Sequence, residues 1–150
     1  MRKKKLIIDA NLLLLIVIGR VQNGIHIKSS NRLDKYNIDD YDKVLEIMAR
    51  HDELYITPYI AAEISNLIDL TGAALIEARE VIRALSLFFK QIDVSIQEDC
   101  ESDAFLHFGI TDSSLIRLAQ SYYILTDDHR MLKPLFAAGP YNIIPYSLDA

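Results

Sequence analysis

The feature that most constrains this chain is a long apolar run that contains two polar residues. Residues 1–19 read MRKKKLIIDANLLLLIVIG, with Asp9 and Asn11 inside the apolar part. The run is shorter than the roughly 20 apolar residues of a transmembrane helix, and a carboxylate within it opposes insertion. A secretory signal peptide would need a small-residue cleavage site, which does not follow the run. We therefore expect a buried strand over Lys4–Asp9 and a helix that begins near Asn11.

The rest of the sequence alternates short apolar segments with segments of helical periodicity. We expect further strands at 54–57, 91–96, 122–126 and 141–146. Helices are expected at 11–21, 39–50, 58–70, 72–90, 100–109, 110–120 and 127–139, the last broken near Pro134. Apolar strands that alternate with helices are typical of a parallel sheet covered on both faces. The sequence therefore predicts one α/β domain over residues 1–150.

Charge and cysteine content narrow the class of protein. The net charge of −5 argues against a protein that coats nucleic acid non-specifically, since such proteins are usually basic. It is compatible with an enzyme whose clustered carboxylates hold divalent cations. The single cysteine, Cys100, cannot form an internal disulfide and lacks metal-ligand partners at fixed spacing. We expect a cytoplasmic protein.

Several acidic residues lie where a predicted strand ends or a predicted helix begins. Asp9 closes the first strand. Asp112 falls in the first turn of a helix that we expect Thr111 to cap. Asp127 and Asp128 directly follow the strand that ends at residue 126. Because ligands bind at the carboxyl ends of parallel strands, this placement indicates a site.

Each acid also has a simpler interpretation, which the sequence leaves open. Asp9 could be the N-cap of the helix that follows it, and Asp112 could favour a helix start through the helix dipole. One residue of the pair Asp127 and Asp128 could be a cap. Glu63 lies at the margin of an apolar helix stripe, as a solvated residue would.

Gathered carboxylates repel one another unless a cation lies among them. A cluster of oxygen ligands without histidine or cysteine suits Mg²⁺ or Mn²⁺ rather than Zn²⁺. Such a metal can activate one of its waters and stabilise the oxygens of a phosphodiester under in-line attack. The acids therefore favour metal-dependent chemistry on a phosphodiester.

Four segments resemble, in order, the motifs of the PIN-domain family of metal-dependent ribonucleases: LIIDAN, TPYIAAEISNL, GITDSSLIRLA and YYILTDDHRM. The family includes the toxins of bacterial and archaeal toxin–antitoxin pairs. The resemblance implies a three-layer α/β/α sandwich around a mostly parallel sheet, an acidic Mg²⁺ or Mn²⁺ site, and RNA hydrolysis that leaves a 5′-phosphate and a 3′-hydroxyl. For a toxin, it further implies a homodimer and an antitoxin protein that blocks the acidic groove.

The resemblance also assigns residues to the site by position. Its catalytic and metal-binding acids match Asp9, Glu63, Asp112 and Asp128. Asp127 is a less certain metal ligand, and the supporting residues are Asn11 and Thr126. The basic side chains that could guide RNA phosphates are Arg20, Lys28, Arg32, Lys35, Arg117 and Arg130.

The departure from the family pattern is a polar segment at 22–37, QNGIHIKSSNRLDKYN, which is longer than in the smallest members. Long loops in compact domains are often functional. The segment is therefore either a substrate-specific loop or a solvated connection without a role.

Two other functions fit parts of the pattern. A catalytically silent module could use the same fold to bind RNA or a partner protein. A phosphoryl-transfer enzyme could use Asp9 as its nucleophile, but phosphatases that resemble haloacid dehalogenases usually have a second aspartate where Asn11 stands. The apolar residues 12–18 fit either a dimer interface or burial within the chain.

Overall fold

A parallel sheet forms the centre of the molecule. The computed structural model describes residues 2–147. In this range the sheet has five strands, all parallel, in the order β3-β2-β1-β4-β5. The strands are β1 Lys5–Ile8, β2 Glu53–Ile56, β3 Phe89–Gln91, β4 Tyr123–Thr126 and β5 Ile143–Pro145. The predicted α/β class with a parallel sheet is confirmed.

The helices form two groups that cover the sheet. They are α1 Ala10–Gly19, α2 Ile38–Ala49, α3 Pro58–Leu67, α4 Gly72–Leu85, α5 Ile96–Glu101, α6 Asp103–Phe108, α7 Ile110–Leu118 and α8 Leu132–Ala138. Helix α1 packs against α2, α3 and α4, and α7 packs against α5, α6 and α8. From β1 to β3 the chain adds strands toward one edge of the sheet, and with β4 and β5 it adds them toward the other edge. Right-handed crossovers therefore place the two groups of helices on opposite faces of the sheet. This arrangement is compatible with a three-layer sandwich.

The first strand and first helix form the core of the fold. Every residue of α1 except Asn11 is buried, and Leu12–Ile18 are at most 1% exposed. Strand β1 lies between β2 and β4, so Leu6–Ile8 are covered on both sides. Of the two interpretations of residues 12–18, the structure supports burial within the chain. Among residues 2–147, no helix has the length and apolarity needed to cross a membrane.

The third strand was predicted in the wrong place. The expected strand at 91–96 is replaced by β3, which ends at Gln91 and pairs with Leu54–Ile56 of β2. The preceding helix ends earlier than expected, at Leu85. Pairing with β2 selects residues 89–91 although Lys90 and Gln91 are exposed, so no apolar run identifies the strand.

Three other helices differ from their predictions at a cap or a break. Helix α7 is capped by Gly109, whose φ of 88° favours glycine, and Thr111 lies inside the helix. The predicted helix at 100–109 is two short helices that meet at Ser102. Residues 127–139 hold a 3₁₀ turn at His129–Met131 followed by α8. Pro134 is the third residue of α8, where its missing N–H is not needed by the helix.

The segment at 22–37 is folded against the rest of the molecule. The backbone N–H groups of Ile27, Ser30, Leu33 and Tyr36 each bond to the carbonyl three residues earlier. The same four residues are the buried ones of the segment. An apolar or hydroxyl side chain at every third position therefore holds successive turns to the body of the protein.

Candidate functional site

The strand order places a crevice between β1 and β4. The chain fills one side of the sheet with β2 and β3 and then returns to the other side of β1 with β4 and β5. Ligands of open α/β sheets bind where the strand order reverses, outside the carboxyl ends of the strands. Asp9 directly follows β1, and Thr126 is the last residue of β4. Both residues thus lie where this fold class carries its sites.

A buried hydroxyl joins the two strand ends. The Thr126 hydroxyl donates to Asp9 Oδ2 at 2.6 Å and accepts the Asp128 backbone N–H at 3.0 Å. Asp9 Oδ1 accepts the Ala10 N–H at 2.7 Å, so Asp9 is also the N-cap of α1. Thr126 is fully buried and Asp9 is 8% exposed. These bonds fix the Asp9 carboxylate at the floor of the crevice.

The four predicted acids line one pocket. Glu63 comes from α3, Asp112 from the first turn of α7, and Asp128 from the turn after β4. The pocket has a volume of about 160 Å³ and is lined by Asp9, Ala10, Asn11, Arg32, Glu63, Asp112, Asp128 and Arg130. That volume is below the roughly 300–1,000 Å³ of pockets for drug-sized ligands, and it suits an ion with its waters.

Burial and mutual repulsion disfavour negative charge in this pocket. Burial, the largest cause, and the neighbouring charges of Asp9, Asp128 and Glu63 together raise the pKa of Asp112 to about 7. Burial likewise raises the pKa of Asp9 to about 6, against the lowering effect of its bonds to Thr126 and Ala10. Without a cation, these carboxyls therefore keep a proton to a higher pH than ordinary aspartates.

The donor set fits Mg²⁺ or Mn²⁺, but the carboxylates do not converge. The pocket offers carboxylate oxygens from four acids and the amide of Asn11, which are ligands for hard cations. Within residues 2–147, no group of three histidine, cysteine or acidic side chains is placed to hold a metal ion. Arg130 instead bonds to both oxygens of Asp128, at 3.2 Å from Nε and 3.0 Å from the second guanidinium nitrogen. Arg130 thus occupies part of the acceptor capacity of the Asp128 carboxylate.

The adjacent acid, Asp127, lies outside the pocket. Its Oδ2 is 3.2 Å from the Lys35 Nζ, and its side chain is 8% exposed. Both carboxylate oxygens are buried and accept no hydrogen bond from the described residues, so the Lys35 contact is an ion pair rather than an aligned hydrogen bond. The negative charge of Asp127 contributes to the raised pKa of Asp9. The structure thus gives Asp127 a place beside the site rather than in it.

Two of the six predicted phosphate-guiding residues border the pocket, Arg32 and Arg130. The other four lie elsewhere. Arg20 lines a separate groove with residues of α4, Lys28 bonds to the Asp34 carbonyl, Lys35 pairs with Asp127, and Arg117 pairs with Asp99 and Glu98.

A buried aspartate outside the predicted set ties together the helices that carry the site. Asp99 of α5 accepts the Tyr59 hydroxyl at 2.7 Å and the Arg117 Nε at 2.8 Å, and its backbone carbonyl accepts the Ser113 hydroxyl at 2.6 Å. Tyr59 belongs to α3, the helix of Glu63, while Ser113 and Arg117 belong to α7, the helix of Asp112. The sequence QEDCESD offers several acids and no signal that singles out Asp99.

Comparison with protein-family models, with curated proteins and with solved structures found no match to this chain.

Proposed function

We propose that this protein is a Mg²⁺- or Mn²⁺-dependent endoribonuclease with a PIN-like α/β/α sandwich. The observation that carries the proposal is that Asp9, Glu63, Asp112 and Asp128, which are far apart in the sequence, line one small pocket at the reversal of strand order. The raised pKa values of Asp9 and Asp112 support a site whose charge is balanced by a bound cation. The resemblance of the four sequence motifs to the PIN-domain family points to RNA as the substrate.

Each part of the site has a chemical role in this proposal. A bound Mg²⁺ or Mn²⁺ would supply an activated water and offset charge on the phosphodiester. Thr126 holds Asp9 and the backbone of Asp128 in a fixed relation, which pre-organises two of the metal-binding carboxylates. Arg32 and Arg130 present guanidinium groups at the pocket, where they can bind phosphate oxygens.

The test is RNA cleavage by the purified protein. We expect the wild type to cut single-stranded RNA with Mg²⁺ or Mn²⁺ and not with EDTA, leaving 5′-phosphate ends. Asp9→Asn and Asp112→Asn should each lose at least roughly 100-fold in rate, the upper end of what outer-shell partners of a metal contribute. Asp42→Asn, which removes an exposed acid of α2, is the matched control. Equal cleavage by the wild type and both site variants would show that the assigned site is wrong.

A non-catalytic module that binds RNA or a partner protein is the second candidate. The observation that favours it is the Arg130 contact to both oxygens of Asp128, because an internal cation already neutralises that acid. Isothermal titration with Mn²⁺ separates the two functions. Absence of binding up to millimolar Mn²⁺ would favour the module, whereas binding that Asp9→Asn abolishes would favour the nuclease.

The resemblance extends the proposal to the cellular role. A cytoplasmic toxin of this kind would form a homodimer and be blocked by an antitoxin protein. Expression of the wild type should then arrest growth, and expression of Asp9→Asn should not. Relief of the arrest by the product of a neighbouring gene would identify the antitoxin, and normal growth with active wild-type enzyme would argue against the toxin role.

A further inference from the structure

The segment at 22–37, here called the strap, brings a guanidinium to the acidic pocket. Arg32 lies near its middle, has an exposed side chain and lines the pocket with the four acids. The neighbouring strap residues Leu33 and Tyr36 are fully buried. The strap thus combines a fixed backbone with a cationic side chain at the rim of the site.

Two polar anchors flank Arg32 on the strap. On one side, the Asn31 backbone N–H donates to Asp69 Oδ2 at 2.9 Å. On the other side, the Lys35 ammonium pairs with Asp127 Oδ2 at 3.2 Å. Each anchor reaches a part of the chain that also carries a site acid. Asp69 follows α3, the helix of Glu63, and Asp127 directly precedes Asp128.

Lys35 pairs with a buried carboxylate, so water cannot readily take the place of its ammonium group. The Asp127 side chain is 8% exposed, and neither of its oxygens accepts a hydrogen bond from the described residues. Lys35 also lies over the ring of Tyr36, 5.2 Å from its centroid. Loss of the ammonium would leave Asp127 buried without an opposite charge, which is strongly unfavourable. The ion pair thus holds the strap against the strand that carries the site.

We propose that the strap is a substrate-positioning element in which Arg32, held between the Asn31 and Lys35 anchors, binds a backbone phosphate of single-stranded RNA at the rim of the acidic pocket. This inference rests on the proposed function. The acids on the floor repel phosphate, and the exposed Arg32 guanidinium beside them can hold the RNA backbone close to the cation site. Arg32 contacts the substrate, and Lys35 is a positioning residue that acts through Arg32.

The experiment measures binding of a labelled single-stranded oligoribonucleotide in Ca²⁺ by fluorescence anisotropy, and cleavage in Mn²⁺ as a separate readout. Arg32→Ala should weaken binding about tenfold and reduce the slope of log Kd against log salt by about 0.7, the value for one lost phosphate contact on a single strand. In cleavage, KM should rise while kcat changes little. Arg79→Ala removes an exposed arginine of α4 and is the matched control, expected to bind like the wild type.

Lys35 is tested by a pair of variants. Lys35→Ala should raise Kd and KM as Arg32→Ala does, and Lys35→Arg should restore both values because it keeps the ion pair with Asp127. Combining Lys35→Ala with Arg32→Ala should add little further loss, since both act on one contact. A purely structural role of Lys35 would instead lower stability without this coupling.

The outcomes separate this inference from the proposed function. RNA binding that depends on Arg32 but is never followed by cleavage would overturn the nuclease and support the strap. Cleavage by the wild type with unchanged Kd, KM and salt slope in Arg32→Ala would overturn the strap and leave the nuclease standing. Absence of any RNA binding in Ca²⁺ or Mn²⁺ would overturn both.

Discussion

The surroundings of Asp112 disfavour its negative charge. Burial is the largest cause of its pKa of about 7, and the other acids of the pocket add to it. An aspartate in the unfolded chain has a pKa near 3.8. The folded state therefore binds a proton on Asp112 more tightly than the unfolded state does, and ionisation of this residue works against folding.

The raised pKa of Asp112 predicts how the free energy of unfolding depends on pH in the absence of metal. Asp112→Asn should raise the free energy of unfolding at pH 8 by about 1–2 kcal/mol, a value reduced from the full pKa shift because the side chain is partly solvated. The pKa of Asp112 is higher in the folded state than in the unfolded state. The free energy of unfolding of the wild type therefore falls as pH rises from about 4 to about 7. Urea unfolding in EDTA at pH 5 and pH 8 checks the result, and the difference between the two proteins should be smaller at pH 5. A variant that is less stable than the wild type at pH 8 would contradict the repulsion.

The sequence identifies the acids of the pocket better than it orients them. Asp9 and Asp128 are predictable because they follow apolar strands, and Asp112 because it opens a helix. Residue type does not predict that Asp128 lines the pocket while Asp127 lies outside it. The Asp128 backbone bonds to the Thr126 hydroxyl and its carboxylate lines the pocket, while Asp127 faces a lysine from the strap. That difference arises from a contact between segments far apart in the sequence.

At the scale of the elements, the relation between α3 and α7 decides how close Glu63 can come to Asp112. Asp99 of α5 bonds to both helices, through Tyr59 of α3 and Arg117 of α7. The Asp99 side chain is fully buried, and Arg117 is 36% exposed. The short helix α5 thus acts as a polar connector between the two helices of the site.

Removal of this connector should cost both stability and metal affinity. Asp99→Ala should lower the free energy of unfolding by about 2–3 kcal/mol, because it removes the acceptor of the Tyr59 hydroxyl and the carboxylate bonded to the Arg117 Nε. Tyr59→Phe removes one hydrogen bond and should cost about 1 kcal/mol. Urea unfolding measures both values, and Mn²⁺ titration of folded Asp99→Ala should show weaker binding than in Tyr59→Phe. Equal Mn²⁺ affinity in Asp99→Ala and the wild type would show that α5 does not position the acids.

The elements that can be predicted from the sequence are those whose residue types indicate whether they are buried. Strand β1 and helix α1 are apolar apart from Lys5 and Asn11, so their residue types alone predict their burial. Strand β3 is only three residues long and is defined by its pairing with β2, which no local pattern reports. The strap was expected as a polar loop because its buried positions, such as Leu33 and Tyr36, recur every third residue. That spacing matches neither the strand period nor the usual helix period.

At the scale of the whole molecule, net charge opposes the proposed substrate. The chain carries a charge of −5, and its acidic pocket adds a local repulsion toward RNA. A bound divalent cation would offset the negative charge at the pocket. Affinity for RNA should therefore follow the occupancy of the cation site.

This gives a prediction for binding of RNA. Replacement of EDTA by millimolar Mg²⁺ at constant ionic strength should tighten RNA binding by about tenfold, on the scale of electrostatic effects in charged clefts. Asp9→Asn should lose most of that dependence because it removes a ligand of the cation. Anisotropy titrations with and without Mg²⁺ measure the effect. Equal RNA affinity in EDTA and in Mg²⁺ would place the RNA away from the acidic pocket.

The central position of β1 has a consequence for the order in which the protein can be completed during synthesis. Asp9 and Thr126, joined by a hydrogen bond, are separated by 117 residues in the chain. At about 5–20 residues per second, a ribosome needs roughly 6–23 s to pass from one to the other. During that interval helix α1, the most apolar helix, lacks its contact with β4. The acids that follow β4 have not yet been synthesised. The nascent chain therefore has hydrophobic surface for a chaperone to bind, and its acidic pocket cannot form before Asp128 has been synthesised.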